Sequence, residues 1–527
     1  MSNPDNPQSE NAIEPSDAAG RERNEPAATQ SPSRAAVPKP VKRPIRTLRP
    51  KPPSNVKKTA PLGLKEKIGL VLGAIVFFVP LLVDIPNLGE PGERMLAIFL
   101  LAIVFWITEP IPLTATAVLV IGLEVLLVST GSPFDPTGGD PSQAEHVAKY
   151  SEYFATLAHP TIILFMGGFM IAEGAEKFSL DRNLAAVMLK PFPEKARLTT
   201  LGLMLITAML SMFMSNTATT ATMFTVVIPI LAALPKGRAR AGVALSIPLA
   251  ANVGGIGTPV GTPPNAIAVG ALAAQGIHVS FGQWMLMAVP FMLVVLFLSW
   301  LFLSAVFIPR DAVIHIEMTS KWNKTPKAVL FYIIAGSTIL LWMTESLHGI
   351  SSNVVGFLPV VALLCLKVMS GEDIKSIDWP VLWLVAGGIA MGEGIGNTGL
   401  DKFLVNSVPW NSLGAVLIVA LLGFVGFAIA NVISHSASAN LLVPLAVSLA
   451  VSLGDSVDTV TVACAVAIAC SLGMSLPIST PPNAIAYATG EISVKQMALL
   501  GMVVGTAATL TLVFALPQLW ALMGFVG

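Results

Sequence analysis

The fold class that the sequence predicts is an all-α polytopic membrane protein: two inverted-topology repeats with re-entrant hairpins and broken helices, about eleven transmembrane helices in all. Three observations lead there. The 527 residues are 54% hydrophobic and only 12% charged, and the apolar runs recur at the roughly 20-residue length that crosses a bilayer core. The stretch Thr262 to Gly270, TPPNAIAVG, returns as Thr480 to Ala488, TPPNAIAYA. A Pro-Pro pair inside a spanning segment frees backbone groups that hydrocarbon cannot satisfy, so both breaks belong in the protein interior. Loop charges supply the third observation, because they orient the two copies oppositely.

Residues 1–64 read as a disordered, basic, Pro-rich cytoplasmic arm. They lack the apolar core of a signal peptide, and Lys42, Arg43, Arg46, Arg49, Lys57 and Lys58 favour the inside. Without interleaved aromatics this is a solvated tether and not a nucleic-acid surface. Cys365, Cys464 and Cys470 sit in apolar segments without ligand-like spacing, which excludes a disulfide framework and a zinc site.

Residues 65–94 hold the first transmembrane helix and 95–308 the first repeat. Within it, 198–235 is an apolar stretch interrupted by Ser215-Asn216-Thr217 and flanked by Arg182, Lys190, Lys195 and Arg197 before and Lys236, Arg238 and Arg240 after. Both ends then face the cytoplasm, so the segment is an inward-opening hairpin. Residues 309–328, with Arg310, Lys321, Lys324 and Lys327, form a cytoplasmic linker. The second repeat, 329–527, contains the hairpin 412–453, whose flanks carry Asp401, Lys402, Asp455 and Asp458 and little positive charge, so it opens outward. Spans are expected to begin near residues 69, 95, 111, 160, 242, 284, 329, 353, 380, 459 and 497. That order puts the N-terminus in the cytoplasm and the C-terminus outside it.

The halves align feature by feature. Pro160, Gly167-Gly168, Glu173 and Asp181 pair with Pro380, Gly387-Gly388, Glu393 and Asp401, and Ser215, Pro259 and Thr262 with Ser434, Pro477 and Thr480. Asp181 and Asp401 each begin a short amphipathic stretch and are expected to cap it. Glu173 and Glu393 lie near span ends and read as structural.

Two hairpin tips and two broken helices meeting near the midplane supply helix N-termini, hydroxyls, amides and freed carbonyls. Such groups bind a small oxyanion through N-termini and donors, and a small hard cation through oxygens. No Lys or Arg is close in sequence to Ser215, Thr262, Ser434 or Thr480, so cotransported cations would supply the positive charge.

On these residues the chain resembles the divalent-anion/sodium symporters, over roughly 65–527. The resemblance rests on Ser215-Asn216-Thr217, the paired Thr-Pro-Pro-Asn breaks and the Gly-Gly spans before each hairpin. It implies an elevator-type secondary transporter in a bacterial inner membrane, embedded in the bilayer, usually a homodimer, that couples sodium influx to uptake of a small divalent anion. A C4 dicarboxylate (succinate, malate or fumarate) leads, with an exchanger or a citrate or sulfate carrier as the alternative. By position, Ser211, Ser215, Asn216 and Gly261 match the first sodium site, and Asn216, Thr217 and Thr262 the substrate contacts beside it. The second half departs: Ser434-His435-Ser436 replaces Ser-Asn-Thr, and Ala430 stands where a hydroxyl residue is common. Ser434, His435 and Ser479 are then candidates for a second cation site, and His435, Ser436, Thr480 and Pro481 for substrate contact. His435 adds a group that titrates near neutral pH. A hydrolase using Ser434 or Ser436 with His435 lacks an orienting carboxylate, and paired hairpins suit alternating access better than an open channel.

Overall fold

The apolar runs fold as helices: among the described residues there is no strand, and the bridges Ser129 with Ala148 and Lys195 with Val313 stand isolated. The computed structural model describes residues 63–525 except 235, 315–320, 408, 409, 411 and 412. The expected arm 1–64 therefore lies outside the described residues but for its last two, as does the middle of the linker 309–328.

α1 (Leu64–Leu82), α2 (Glu90–Thr108) and α3 (Leu113–Leu127) come first. α1 turns Leu72, Ile75, Phe78 and Val79 outward and lays Gly69 and Gly73 against Thr108 and Phe105 of α2. Apolar residues outward with small ones at the contact is the packing order of helices in lipid.

α4 (Tyr150–Ala155) and α5 (Pro160–Lys177) lead to the short α6 (Leu180–Leu189), the pair α7 (Ala196–Ser211) and α8 (Asn216–Ala233), the interrupted α9 (Arg238–Gly255) and α10 (Pro263–Ala274), and the long α11 (Phe281–Val306). α12 (Pro326–Met343), α13 (Glu345–His348), α14 (Ser352–Cys365) and α15 (Gly371–Ser376) follow. Then the same order of shapes recurs: α16 (Trp379–Asn397), short α17 (Leu400–Ser407), the pair α18 (Ala415–Val432) and α19 (His435–Leu453), interrupted α20 (Thr459–Ser471) and α21 (Pro481–Ala488), and long α22 (Val494–Phe514) with α23 (Leu516–Leu522). All of these helices belong to one unit, Leu62–Gly527.

Among the described residues, nine helices are long and apolar enough to cross a membrane, fewer than the eleven spans expected. The two sets overlap only in part. The nine include α8, α18 and α19, which are arms of the helix pairs, whereas α3, α10, α14 and α20 are shorter. Length and hydropathy together pass a long hairpin arm and fail a helix interrupted midway.

Two repeat-related carboxylates fasten the short helices. Asp181 Oδ2 accepts a hydrogen bond from Thr222 Oγ1 on α8 at 3.0 Å, and Asp401 Oδ2 one from Ser452 Oγ on α19 at 2.7 Å. Ser179, with a left-handed backbone (φ 55°), occupies the N-cap position of α6 without a side-chain cap bond, and Asp181 sits in the first turn, tied to Thr222. At the far end of α5, Lys177 Nζ lies 2.6 Å from Asp373 Oδ2 on α15. Burial alone would raise the Asp373 carboxyl, but hydrogen bonds from Lys177 and Ser370 hold it below its ordinary value.

Candidate functional site

Each helix pair turns on a serine that caps the returning helix. Ser215 Oγ accepts from Ala218 N and Ser434 Oγ from Ala437 N, both at 3.2 Å. A helix start leaves its first-turn amides without helical partners, and the serine satisfies only the third of them. The tips therefore point the N–H groups of Asn216 and Thr217, and of His435 and Ser436, at whatever lies in front of them.

The interrupted helices meet the tips head-on. α10 starts at Pro263-Pro264 and α21 at Pro481-Pro482. Proline fits the first helical positions because no N–H is needed there, so these two helices bring their positive ends but no donors at their first two positions. Hydroxyls precede them instead. Thr480 caps α21 through Asn483 N at 3.2 Å, whereas Thr262 makes no such bond to α10. The loops before them are held by the motif asparagines. Asn265 Nδ2 donates to the carbonyls of Gly255 (3.0 Å), Ile256 (3.2 Å) and Thr258 (2.8 Å), and Asn483 Nδ2 to those of Met474 (2.8 Å) and Leu476 (3.0 Å). Each side chain satisfies carbonyls that the break has released, as a buried backbone requires.

Between these four N-termini lies a cavity of about 300 Å³. Every residue singled out in sequence for substrate contact, Asn216, Thr217, Thr262, His435, Ser436, Thr480 and Pro481, lines it, as do Ser215, Gly261, Ser434 and Ser479. Ser211 does not; it stands behind Asn216. No Lys or Arg is among the described lining residues, and the carboxylate there is Asp378. A second cavity of about 280 Å³ shares Phe169, Ser215, Asp378 and Pro380 with the first and continues along α5 past Glu173 and Glu176.

Around the first tip, oxygens converge. One terminal atom of the Asn216 carboxamide lies 2.6 Å from Ser211 Oγ and 3.2 Å from the carbonyl oxygens of both Ala251 and Gly261. With nitrogen in that position the amide donates to all three, the orientation that satisfies both ends of the side chain. Ser211 Oγ also donates to Ala251 O at 2.8 Å. The Ser211 hydroxyl and the Ala251 and Gly261 carbonyls are oxygen ligands of the kind a small hard cation takes.

The second tip is built differently. His435 Nε2 lies 2.9 Å from the carbonyl oxygen of Gly473. A carbonyl only accepts, so this nitrogen carries the proton and is unavailable as a cation ligand. Ala430, the positional partner of Ser211, packs so closely that a Cβ added to Gly473 would lie 2.5 Å from the Ala430 Cβ. Ser479 Oγ donates to Leu476 O at 2.7 Å. One carbonyl is thus occupied by an imidazole, and one hydroxyl is replaced by a methyl.

Asn252 went unnoticed in the sequence. From the buried face of α9 its Nδ2 donates to Thr480 Oγ1 and Asn483 Oδ1, both at 3.2 Å, and it lines the cavity. It joins the first interrupted helix to the second. A lone asparagine ten residues before Thr262 in an Ala- and Leu-rich helix was the available signal. Its positional partner, Cys470, carries no such bond.

Paired helix hairpins and interrupted helices closing on a cavity of hydroxyls, amides and helix N-termini define a polytopic carrier of small ions. Residues 64–526 match the family described as the sodium:sulfate symporter transmembrane region. The chain belongs to that family, the divalent-anion/sodium symporters, and is a transporter and not an enzyme, with sodium as its cotransported ion. It is 28% identical over 501 residues to a sodium-dependent dicarboxylate transporter, SdcS, of Staphylococcus saprophyticus, covering 87% of this chain and 92% of the relative. The SdcS of Staphylococcus aureus is likewise 28% identical, over 505 residues, with the same coverage. In fold the chain is similar to the YdaH transporter of Alcanivorax borkumensis, with a TM-score of 0.51 and 15% identity over 83% of this chain and 99% of that one.

Proposed function

We propose that the protein couples sodium influx to uptake of a C4 dicarboxylate such as succinate, malate or fumarate across a bacterial inner membrane. One observation carries the reading: four helix N-termini converge on a cavity without lysine or arginine, which is a site for an anion whose charge bound cations offset. The name shared by the Staphylococcus relatives supports a dicarboxylate.

In this reading sodium enters first, among Ser211, Ser215, Asn216 and Gly261 and the Ala251 carbonyl. The anion then accepts from the amides and side chains of Asn216 and Thr217 on one side and His435 and Ser436 on the other, with the hydroxyls of Thr262 and Thr480 and the ring of Pro481 closing around it. The two repeats have opposite topology and alternate access by moving against each other in an elevator-like step, within a homodimer. The passage along Glu173, Glu176 and Asp378 leads to the cytoplasm, so this conformation faces inward and its acidic walls draw departing sodium. The membrane potential adds about 2.3 kcal/mol per net charge per 100 mV.

The occupied Gly473 carbonyl favours a second reading, anion exchange, because it weakens one cation site. Purified protein in liposomes, given labelled succinate and imposed sodium, proton or counter-anion gradients one at a time, separates the two. Uptake is expected only with an inward sodium gradient and is expected to be competed by malate more than by citrate or sulfate. Counter-anion-driven, sodium-independent uptake would overturn the symport reading.

A further inference from the structure

Away from the cavity, a carboxylate lies buried in the membrane part of the protein with nothing to hold it. Glu124 of α3 is 0% exposed, and neither of its oxygens has a hydrogen-bond partner. Its Oε1 sits hard against α16: a Cβ added to Gly394 would lie 2.8 Å from it and 2.7 Å from Met95 Sδ. The next residue along α16 is Glu393, the charged neighbour whose field falls on Glu124. Tyr153 of α4, fully buried, feels both glutamates.

The other charged groups nearby are engaged or lie outside. On α2, Arg94 is committed to Glu90 (2.8 Å) and the Leu127 carbonyl (2.9 Å), and Glu93 accepts from Ile85 N at 2.6 Å. Exposed Glu152 of α4 acts on Glu393 and adds negative charge. His146 rests on the Asn397 carbonyl at 3.2 Å, and Asp401 of α17 is tied to Ser452. Among the described residues no cation reaches the pair, and no group of three His, Cys, Asp or Glu side chains is arranged to hold a metal ion.

An ionised carboxylate in an apolar interior without donors is too costly to persist, and a second negative charge beside it raises the cost further. We propose that Glu124 and Glu393 form a proton-binding site, separate from the anion cavity, in which the pair retains at least one proton while α3, α4 and α16 are packed together. The inference does not depend on which anion is carried. Loss of the proton would place two like charges at one packed junction of α3 and α16, so alkaline conditions would loosen this face of α16 while leaving the hairpin tips untouched.

The test is infrared spectroscopy of the full chain in lipid nanodiscs, titrated from neutral to alkaline pH. Wild type is expected to show the carbonyl band of a protonated carboxylic acid that disappears on alkalinisation. Glu124→Gln, which keeps the shape and removes one of the two carboxyls, is expected to weaken that band and to shift the pH at which the remainder disappears. Glu393→Gln is expected to keep it but lose it only at a different pH from wild type, because the opposing charge is gone. A Glu124→Gln spectrum that superimposes on wild type would overturn the proposal, and so would a Glu393→Gln titration unchanged from wild type. Should Glu124→Gln fail to fold, the Glu393→Gln titration alone decides.

Discussion

The two hairpin tips start from the same plan and finish with different chemistry. Both use a serine to cap the returning helix at 3.2 Å, and both face a Thr-Pro-Pro-Asn helix. At the first tip Asn216 gathers Ser211 and two carbonyls around one atom; at the second, His435 donates to Gly473 and Ala430 offers a methyl. The backbone scaffold is thus repeated while the oxygens that would hold a cation are not. The same order of elements builds both tips, and the side chains at Asn216 and His435 and at Ser211 and Ala430 distinguish them.

The most damaging way to break the comparison is Asn216→Ala. It leaves three buried oxygens without their common partner, a loss of about 3 kcal/mol or more, and sodium-driven uptake is expected to fall by roughly 100-fold in initial rate, since about 1.4 kcal/mol is tenfold. Uptake near wild type would mean that the first tip holds no ion. A gentler change sharpens the comparison instead. The double variant Ala430→Ser with His435→Asn rewrites the second tip as the first, and uptake measured against sodium concentration is expected to become steeper, with half-saturation at a sodium level lower by about fivefold (~1 kcal/mol, one good hydrogen-bonding group). No change would show that the tight Gly473 contact, and not side-chain identity, sets the second site. Smallest is the pair Asp181→Asn and Asp401→Asn. Each weakens one tie between a short helix and its hairpin, and thermal unfolding is expected to register about 1 kcal/mol or less for either, equally in both halves. Unequal losses would mean that the two arms are not mechanically alike.

Much of this site was readable before any coordinates. Pro-Pro pairs and polar tripeptides stand out in apolar surroundings because each contradicts its neighbours, and all seven residues named for substrate contact line one cavity. The asparagines of the two motifs were read only as part of a pattern; their work as clamps on released carbonyls depends on where the chain folds back. Asn252 and Asp378 were missed because their importance comes from neighbours distant in sequence, the Thr480 hydroxyl and Asn483 amide for one and the cavity wall for the other. Asp181 was legible as a residue of the first turn of α6, but its tie to Thr222, 41 residues on, has no local signal. The interrupted helices were legible as spans through their Pro-Pro motifs, where length alone does not mark them.

The clamps of Asn265 and Asn483 have a consequence for the energetics of loading. Five carbonyls are already fixed at the two breaks before any ion arrives, so the loss of chain freedom there is met during folding and not during each transport cycle. Preorganised sites of this kind hold their ligands without an ordering penalty. In hydrogen–deuterium exchange, sodium should therefore slow the amides of the first tip, while those following the prolines remain as slow without it as with it.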